Sequence, residues 1–125
     1  MMTKKLFKYI IIIFILLILC YSIYIKFFSK KLIVQPFGIG MLLVGSGSME
    51  PEIGTGDIII IKKCKEYKIG DIVTYDIEQK YLVTHRIIEQ DGEEITTKGD
   101  NNNIQDEEKI NKGKIYGKVI FKIKL

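Results

Sequence analysis

Residues 71–97 read DIVTYDIEQKYLVTHRIIEQDGEEITT, and this stretch decides the fold class. Its short runs of β-branched and aromatic residues are broken by turn formers such as Asp91-Gly92, a pattern typical of strands joined at hairpin-like intervals. No segment beyond residue 30 shows the sustained period of 3.6 residues that a helix needs. The sequence therefore predicts a mainly β chain with an all-β domain. The expected strands are DIIIIK (57–62), DIVTY (71–75), YLVTHRIIE (81–89), EITT (94–97) and IYGKVIFKI (115–123).

The length of 125 residues leaves room for one such domain, and 47% hydrophobic with 27% charged residues indicates a chain that folds. The formal net charge of +4 arises outside this domain, because every acidic residue lies at or beyond Glu50 while the surplus lysines are N-terminal. Nucleic-acid binding needs a basic patch on the folded surface, so this distribution argues against nucleic acid and favours the lipid bilayer as a partner. The surplus lysines are Lys4, Lys5, Lys8 and Lys26.

Residues that bind metals or form disulfides are scarce. The chain has two cysteines, Cys20 in an apolar run and Cys64 beside lysines, and His85 is its single histidine. Cysteines in such different settings do not predict a disulfide framework, and one histidine with two dispersed cysteines does not predict a metal site. We therefore expect a domain that needs no disulfide, metal or cofactor.

An uncharged apolar run from Tyr9 to Ile25 precedes the domain, with lysines at both ends. As a helix it rises about 25 Å at ~1.5 Å per residue, slightly less than a hydrocarbon core of roughly 30 Å. Snorkelling of the flanking lysines extends the expected span to residues 7–28. No small-residue cleavage site of the A-x-A kind follows, which favours a retained anchor over a cleavable secretory signal or a buried soluble helix. The sequence thus predicts a membrane anchor at 1–28 and the β domain at 29–125, while the balanced flanking lysines leave the orientation open.

Three further segments carry expectations about the domain. The apolar stretch Leu32–Val44 is too short to span a membrane and predicts an extended segment that leads into the sheet. The polar segment Gly99–Lys114 predicts a strand-free loop, which at this length is usually functional or disordered. We expect the apolar face of the last strand to pack in the core rather than against the membrane. That face consists of Val119, Phe121, Ile123 and Leu125.

The segment GSGSMEP at 45–51 places two serines among glycines, where backbone freedom allows a tight, exposed turn after an apolar strand. Taken alone, it predicts an ordinary hairpin loop. A strand histidine such as His85 is more often a packed residue than a base, and loop acids such as Asp100 and Asp106 are usually solvated. Together, however, a serine in a tight turn, a single imidazole and two loop carboxylates can provide a nucleophile, its base and the group that orients the base.

Five short motifs occur in order along the chain: SMEP (48–51), GD (56–57), GDIV (70–73), THRI (84–87) and KGDNN (98–102) with Asp106. In this order they resemble the conserved boxes of type I signal peptidases. His85 stands where the ordinary bacterial enzymes have a lysine base. The chain therefore most resembles the Ser-His branch found in the endoplasmic reticulum, in archaea and in sporulation and biofilm-linked enzymes of Gram-positive bacteria. The LexA-like self-cleaving repressors share the Ser-Met-x-Pro box but pair it with lysine and have no membrane segment.

The resemblance implies a small signal-peptidase/LexA-like β fold and a role for each candidate residue. Ser48 would attack the scissile carbonyl, and His85 would take its proton. Asp106 is the first choice for the acid that orients the imidazole, and Asp100 is the second. The backbone N–H of Ser48 and the hydroxyl of Ser46 would hold the developing oxyanion.

The resemblance also implies a substrate and a location. The apolar strand at 37–44 would accept the signal peptide of a preprotein as an extra β-strand, with small side chains in shallow pockets. The expected location is the cell membrane, in a single pass with the β domain on the extracytoplasmic side, where other secretion-machinery subunits are candidate partners. Two alternatives stay open: a catalytically silent membrane-anchored β-domain that binds peptides or assembles with a partner, and self-cleavage in the LexA-like manner.

Overall fold

Residues 3–28, 33 and 35–125 are described by the computed structural model, and they form a long helix followed by an antiparallel sheet. The helix is α1 (Lys4–Phe28), and short 3₁₀ turns occupy Pro36–Gly38 and Lys112–Lys114. The strands are β1 (Ile39–Leu43), β2 (Ile58–Lys62), β3 (Ile72–Ile77), β4 (Tyr81–Asp91), β5 (Glu94–Lys98), β6 (Ile110–Asn111) and β7 (Ile115–Ile123). The predicted fold class is confirmed.

The sheet has seven strands in the order β1-β2-β7-β3-β4-β5-β6, and all neighbours are antiparallel. Strands β3 to β6 follow one another as a meander, whereas β7 inserts between β2 and β3. The register shifts at Ile60/Ile61, Thr74/Tyr75 and Ile87/Glu89, and such bulges increase the local twist of a sheet. The end of edge strand β1 and the start of β4 line the same cleft.

Alternating residues of the strands contribute to two hydrophobic clusters, because successive side chains point to opposite faces of a sheet. In β3, Val73 and Tyr75 belong to the first cluster, while Ile72 packs against the second. The second cluster holds the loop that follows β1 against β2 through Met49 and Ile53. The first cluster comprises Tyr67, Val73, Tyr75, Ile87, Ile95, Ile110 and Ile115, and the second Ile33, Met49, Ile53, Ile59 and Ile61.

The five strands expected from the sequence are all present, and β1 lies within the segment expected to be extended at 32–44. Of that segment, Leu32 and Val34 lie outside the described residues. Strand β6 corrects the expectation of a strand-free segment at 99–114. Its Ile110 is buried and pairs with Ile95, so one apolar residue in a polar segment suffices to add a short edge strand.

The expectation for the last strand is wrong in part, because β7 contains a bulge. Ile61 pairs with Val119, but its neighbour Ile60 pairs with Phe121, so the apolar residues of β7 divide between the two faces. Val119 packs against the second cluster, whereas Phe121 is 59% exposed. The exposed apolar residues of β1, β7 and the residues after β7 are Ile39, Met41, Leu43, Ile120, Phe121, Ile123 and Leu125.

Helix α1 is long and apolar enough to cross a membrane, by length and composition. The mean hydropathy of its most apolar window is 2.7, and none of that window is buried against the rest of the described chain. The boundary expected between residues 28 and 29 borders residues 29–32, which lie outside the described part.

Candidate active site

Ser48 lies on the loop that joins β1 to β2. The ladder of these strands continues into the loop, because Val44 N–H donates to the Asp57 carbonyl at 2.8 Å and Gly56 N–H to the Val44 carbonyl at 2.9 Å. Directly after Ser48, the side chain of Met49 is only 2% exposed. The two backbone hydrogen bonds of Val44 close the loop, and the buried Met49 side chain anchors it, so Ser48 is held at the surface of the domain.

Side chains around the same loop hold its far end. Gly54 N–H donates to Asp57 Oδ2 at 2.8 Å, and Lys124 Nζ lies 3.1 Å from the same oxygen. The Gly54 N–H, and after it Lys124, lower the pKa of the Asp57 carboxyl. Lys122 Nζ donates to the Glu52 carbonyl at 2.8 Å and to its carboxylate at 2.9 Å. Lys122 at the end of β7 and Lys124 just after it therefore stabilise the loop that carries Ser48.

His85 occupies β4 opposite Val73 of β3, and it is 9% exposed. Its Nε2 lies 3.2 Å from Ser48 Oγ, and its Nδ1 lies 2.6 Å from Asp106 Oδ2. A neutral imidazole that donates through Nδ1 to a carboxylate has a free lone pair on Nε2, which accepts the serine hydroxyl proton. The structure thus brings three of the residues singled out in the sequence into one hydrogen-bonded row.

Asp106 lies on the loop between β5 and β6, and its backbone N–H donates to the Thr97 carbonyl at 2.9 Å. Its Oδ2 accepts from the hydroxyls of Thr97 at 2.7 Å and of Tyr75 at 3.2 Å. Burial raises the pKa of the Tyr75 hydroxyl, which therefore keeps its proton. The sequence reasoning missed Tyr75 and Thr97, although both stand at inward positions of expected strands.

The second candidate acid, Asp100, contacts a different residue. Arg86 donates to it from Nε at 2.9 Å and from Nη2 at 2.7 Å, and the same guanidinium donates to the Gly70 carbonyl at 2.8 Å. These hydrogen bonds from Arg86 lower the pKa of the Asp100 carboxyl. Adjacent strand residues point to opposite faces, so Arg86 could have been recognised as pointing away from His85.

The loop that contains Asp100 also holds the serine loop. Asn101 N–H donates to the Ser48 carbonyl at 2.8 Å, and the Asn101 side-chain amide donates to the Gly47 carbonyl at 3.1 Å. A Cβ on Gly99 would lie 2.7 Å from the Ser48 carbonyl oxygen, closer than real Cβ atoms approach. Glycine at this position therefore permits the two loops to meet. The sequence signal was the KGDNN motif, which did not indicate these contacts by itself.

A cleft of about 280 Å³ opens beside Ser48. The Ser46 hydroxyl is exposed in it and donates to Ser48 Oγ at 3.3 Å. The wall of the cleft is largely apolar and comes from β1, the serine loop and the start of β4. It includes Leu42, Val44, Ile53, Leu82 and Val83. Among the described residues, no group of three or more His, Cys, Asp or Glu side chains could hold a metal ion.

Comparison with known proteins identifies a family and several relatives of this chain. A family profile described as Peptidase S24-like matches residues 21–120. The chain is 42% identical over 73 residues to Signal peptidase I W of Bacillus subtilis (strain 168), a match that covers 53% of this chain and 38% of that protein.

Two fungal relatives, both called Signal peptidase complex catalytic subunit SEC11, are also similar. The protein of Scheffersomyces stipitis is 39% identical over 72 residues, which is 53% of this chain and 43% of the relative. The protein of Fusarium vanettenii is 34% identical over 84 residues, which is 61% of this chain and 49% of the relative. The matches thus span about two fifths to one half of the length of these curated relatives.

Proposed function

Because the chain belongs to the Peptidase S24-like family, we propose that it is a membrane-bound serine endopeptidase that removes N-terminal signal peptides from secreted preproteins. The observation that carries the proposal is the position of His85 between Ser48 Oγ at 3.2 Å and Asp106 Oδ2 at 2.6 Å. A serine, a buried imidazole and a carboxylate in this order form the arrangement that activates a serine hydroxyl.

In the proposed reaction, Ser48 Oγ attacks the scissile carbonyl carbon while its proton passes to His85 Nε2. Asp106 accepts the Nδ1–H bond and stabilises the imidazolium that forms. The Ser48 backbone N–H and the Ser46 hydroxyl stabilise the oxyanion. His85 then gives the proton to the leaving amine, and the signal peptide remains as an ester on Ser48. Water, deprotonated by His85, hydrolyses this ester and restores the serine.

The proposed substrate is an extended peptide that binds along β1. This strand lies at the edge of the sheet, so its outer backbone groups are available to another strand. The adjacent cleft is small and most of its lining side chains are apolar, which suits small side chains near the bond to be cut. The names of the relatives, signal peptidase I and signal peptidase complex catalytic subunit, support a signal peptide as this substrate.

The proposed location is the membrane, with the β domain on the extracytoplasmic side. Helix α1 can span a bilayer by length and composition, and apolar side chains such as Met41, Leu43 and Phe121 are exposed on the sheet. A site held at the bilayer meets membrane-embedded signal sequences at a high effective concentration. The SEC11 relatives are named as subunits of a complex, which supports further subunits as partners of this chain.

The test is to incubate the full chain in liposomes with a membrane-inserted preprotein and to identify the products by mass spectrometry. We expect one cut at the end of the signal peptide, and no cut with Ser48→Ala. Thr55→Ala removes an exposed hydroxyl from the same loop and should cleave as the wild type does. Equal cleavage by Ser48→Ala would refute the proposal, and absence of cleavage by the wild type would favour a catalytically silent β-domain.

A further inference from the structure

Three donors converge on one oxygen of Asp106. His85 Nδ1 lies 2.6 Å from Oδ2, the Thr97 hydroxyl 2.7 Å and the Tyr75 hydroxyl 3.2 Å. The Tyr75 and Thr97 oxygens are themselves 2.9 Å apart. The tyrosine and threonine come from β3 and β5, the strands on either side of the strand that carries His85.

The proton count gives this network a direction. Each hydroxyl has one proton, and the Thr97 proton is used on Asp106 at 2.7 Å. The Tyr75 proton is then shared between the Thr97 oxygen at 2.9 Å and Asp106 Oδ2 at 3.2 Å, and the shorter contact is to Thr97. Tyr75 therefore acts on the carboxylate mainly through Thr97, and Thr97 acts on it directly.

The network joins one residue of a loop to two residues of paired strands. Asp106 belongs to a loop, and its side chain is 26% exposed. Tyr75 is 1% exposed and Thr97 is 0% exposed, and both lie in paired strands. A partly exposed carboxylate on a loop has several rotamers available, whereas two buried hydroxyls on strands define a single position for its oxygen.

We propose that Thr97 and Tyr75 are positioning residues, which fix Asp106 Oδ2 where it holds the Nδ1–H of His85 and thereby keep the Nε2 lone pair directed at Ser48. This inference rests on the proposed function for its catalytic consequence. Its structural part, the dependence of the His85–Asp106 hydrogen bond on the two hydroxyls, can be measured without any substrate.

The first measurement is nuclear magnetic resonance of the full chain in detergent micelles with ¹⁵N-labelled histidine. Because His85 is the single histidine, its downfield Nδ1 proton signal is unambiguous. We expect Thr97→Val to shift this signal upfield or to remove it, and Thr97→Ser to restore it. Thr74→Val is the matched control, since Thr74 is a buried threonine on the strand that carries Tyr75 and its hydroxyl bonds to the Thr84 hydroxyl at 2.7 Å.

The second measurement is steady-state cleavage of a preprotein. Because Thr97 donates a hydrogen bond to a charged carboxylate, its loss should be costly. We expect Thr97→Val to lower kcat about 10- to 100-fold with little change in KM. Tyr75→Phe, which keeps the ring, should lower kcat by about three- to tenfold, and Thr97→Ser should recover most of the rate. In an Asp106→Ala background, Thr97→Val should cause no further loss, because its effect passes through Asp106.

Two outcomes would overturn the inference. One is an unchanged Nδ1 proton signal in both Thr97→Val and Tyr75→Phe, and the other is an equal change in the Thr74→Val control. Should Thr97→Val fail to fold, the Nδ1 proton signal of Tyr75→Phe decides: an upfield shift supports the inference, and an unchanged signal overturns it. If the wild-type chain cleaves no preprotein, the proposed function fails, while the resonance experiment still supports or contradicts the network.

Discussion

At the scale of single residues, the site depends on hydroxyls that the backbone presents at fixed distances. Ser46 is the clearest case, because it is exposed in the cleft and its hydroxyl reaches Ser48 Oγ at 3.3 Å. A hydroxyl so close to the attacking oxygen is also close to the carbonyl that is attacked. This placement suits a donor to the developing oxyanion.

Removal of the Ser46 hydroxyl should therefore slow the chemical step. We expect Ser46→Ala to lower kcat by about 10²- to 10³-fold, the usual loss for one oxyanion donor, with KM nearly unchanged. The measurement is steady-state cleavage of a preprotein, with Ser46→Thr as the variant that retains the hydroxyl. A kcat for Ser46→Ala within about twofold of the wild type would contradict this role.

The Arg86–Asp100 pair makes stability depend on pH. Arg86 lowers the pKa of the Asp100 carboxyl, so the pair contributes stability above the unfolded value near ~3.9 and loses it as pH falls through the folded value. Asp100→Asn lacks this titration. We expect its melting temperature to lie below that of the wild type at pH 7, and the difference to shrink below about pH 4.

The control is Glu107→Gln, which replaces an exposed acid of the same loop. A difference that stays constant down to about pH 3 would be inconsistent with the pair.

At the scale of elements, the β3–β4 hairpin contains a strained turn. Three residues connect the strands, and Glu78 and Gln79 are the central residues of the turn, with φ of 55° and 57°. The turn is closed by Lys80 N–H, which donates to the Ile77 carbonyl at 3.0 Å. Positive φ at both central positions suits Asn-Gly far better than residues with longer side chains.

The double variant Glu78→Asn/Gln79→Gly should consequently be more stable than the wild type. Relief of the strain is worth about 1 kcal/mol, which corresponds to a rise in melting temperature of roughly 4–8 °C for a domain of this size. Gly92→Ala is the opposite control, since Gly92 has φ of 61° in the next turn and should lose stability on substitution. A lower melting temperature for the double variant would show that the turn is not strained.

The same elements show what the sequence could predict. Runs of β-branched residues sufficed to predict five strands, because each contains enough apolar residues to form a recognisable pattern. These strands are β2, β3, β4, β5 and β7. The two-residue strand β6 has a single buried apolar residue, which leaves no pattern to recognise. The division of β7 between two faces was also beyond the sequence, since a bulge depends on the register with β2 and not on β7 alone.

At the scale of the whole molecule, the site combines positions far apart in the chain. The motifs gave the candidate residues Ser48, His85, Asp100 and Asp106, but their order along the chain could not decide between the two acids. That choice depends on which acid the loop after β5 brings to the face of His85. Thr97 and Tyr75 were hidden for the same reason, because only the pairing of β3, β4 and β5 places them beside Asp106.

Attachment to the bilayer should depend on α1. Arginine at the centre of a membrane helix costs about 2.5–3.5 kcal/mol, so the double variant Ile15→Arg/Leu16→Arg carries a penalty of roughly 5–7 kcal/mol. We expect alkaline extraction to release this variant from membranes while the wild type and Ile15→Leu stay in the pellet. Retention of the double-arginine variant in the pellet would contradict a transmembrane role for α1.

The central claim is that Ser48 and His85 act as one nucleophilic unit, and a double-mutant rate measurement tests it most directly. The initial rate of preprotein cleavage in liposomes is compared among the wild type, Ser48→Ala, His85→Ala and the double variant. Residues that act together lose nearly all of their effect on the first substitution, so we expect all three variants to share one low rate. Near wild-type cleavage by either single variant, or a rate for the double variant equal to the product of two independent losses, would contradict the claim.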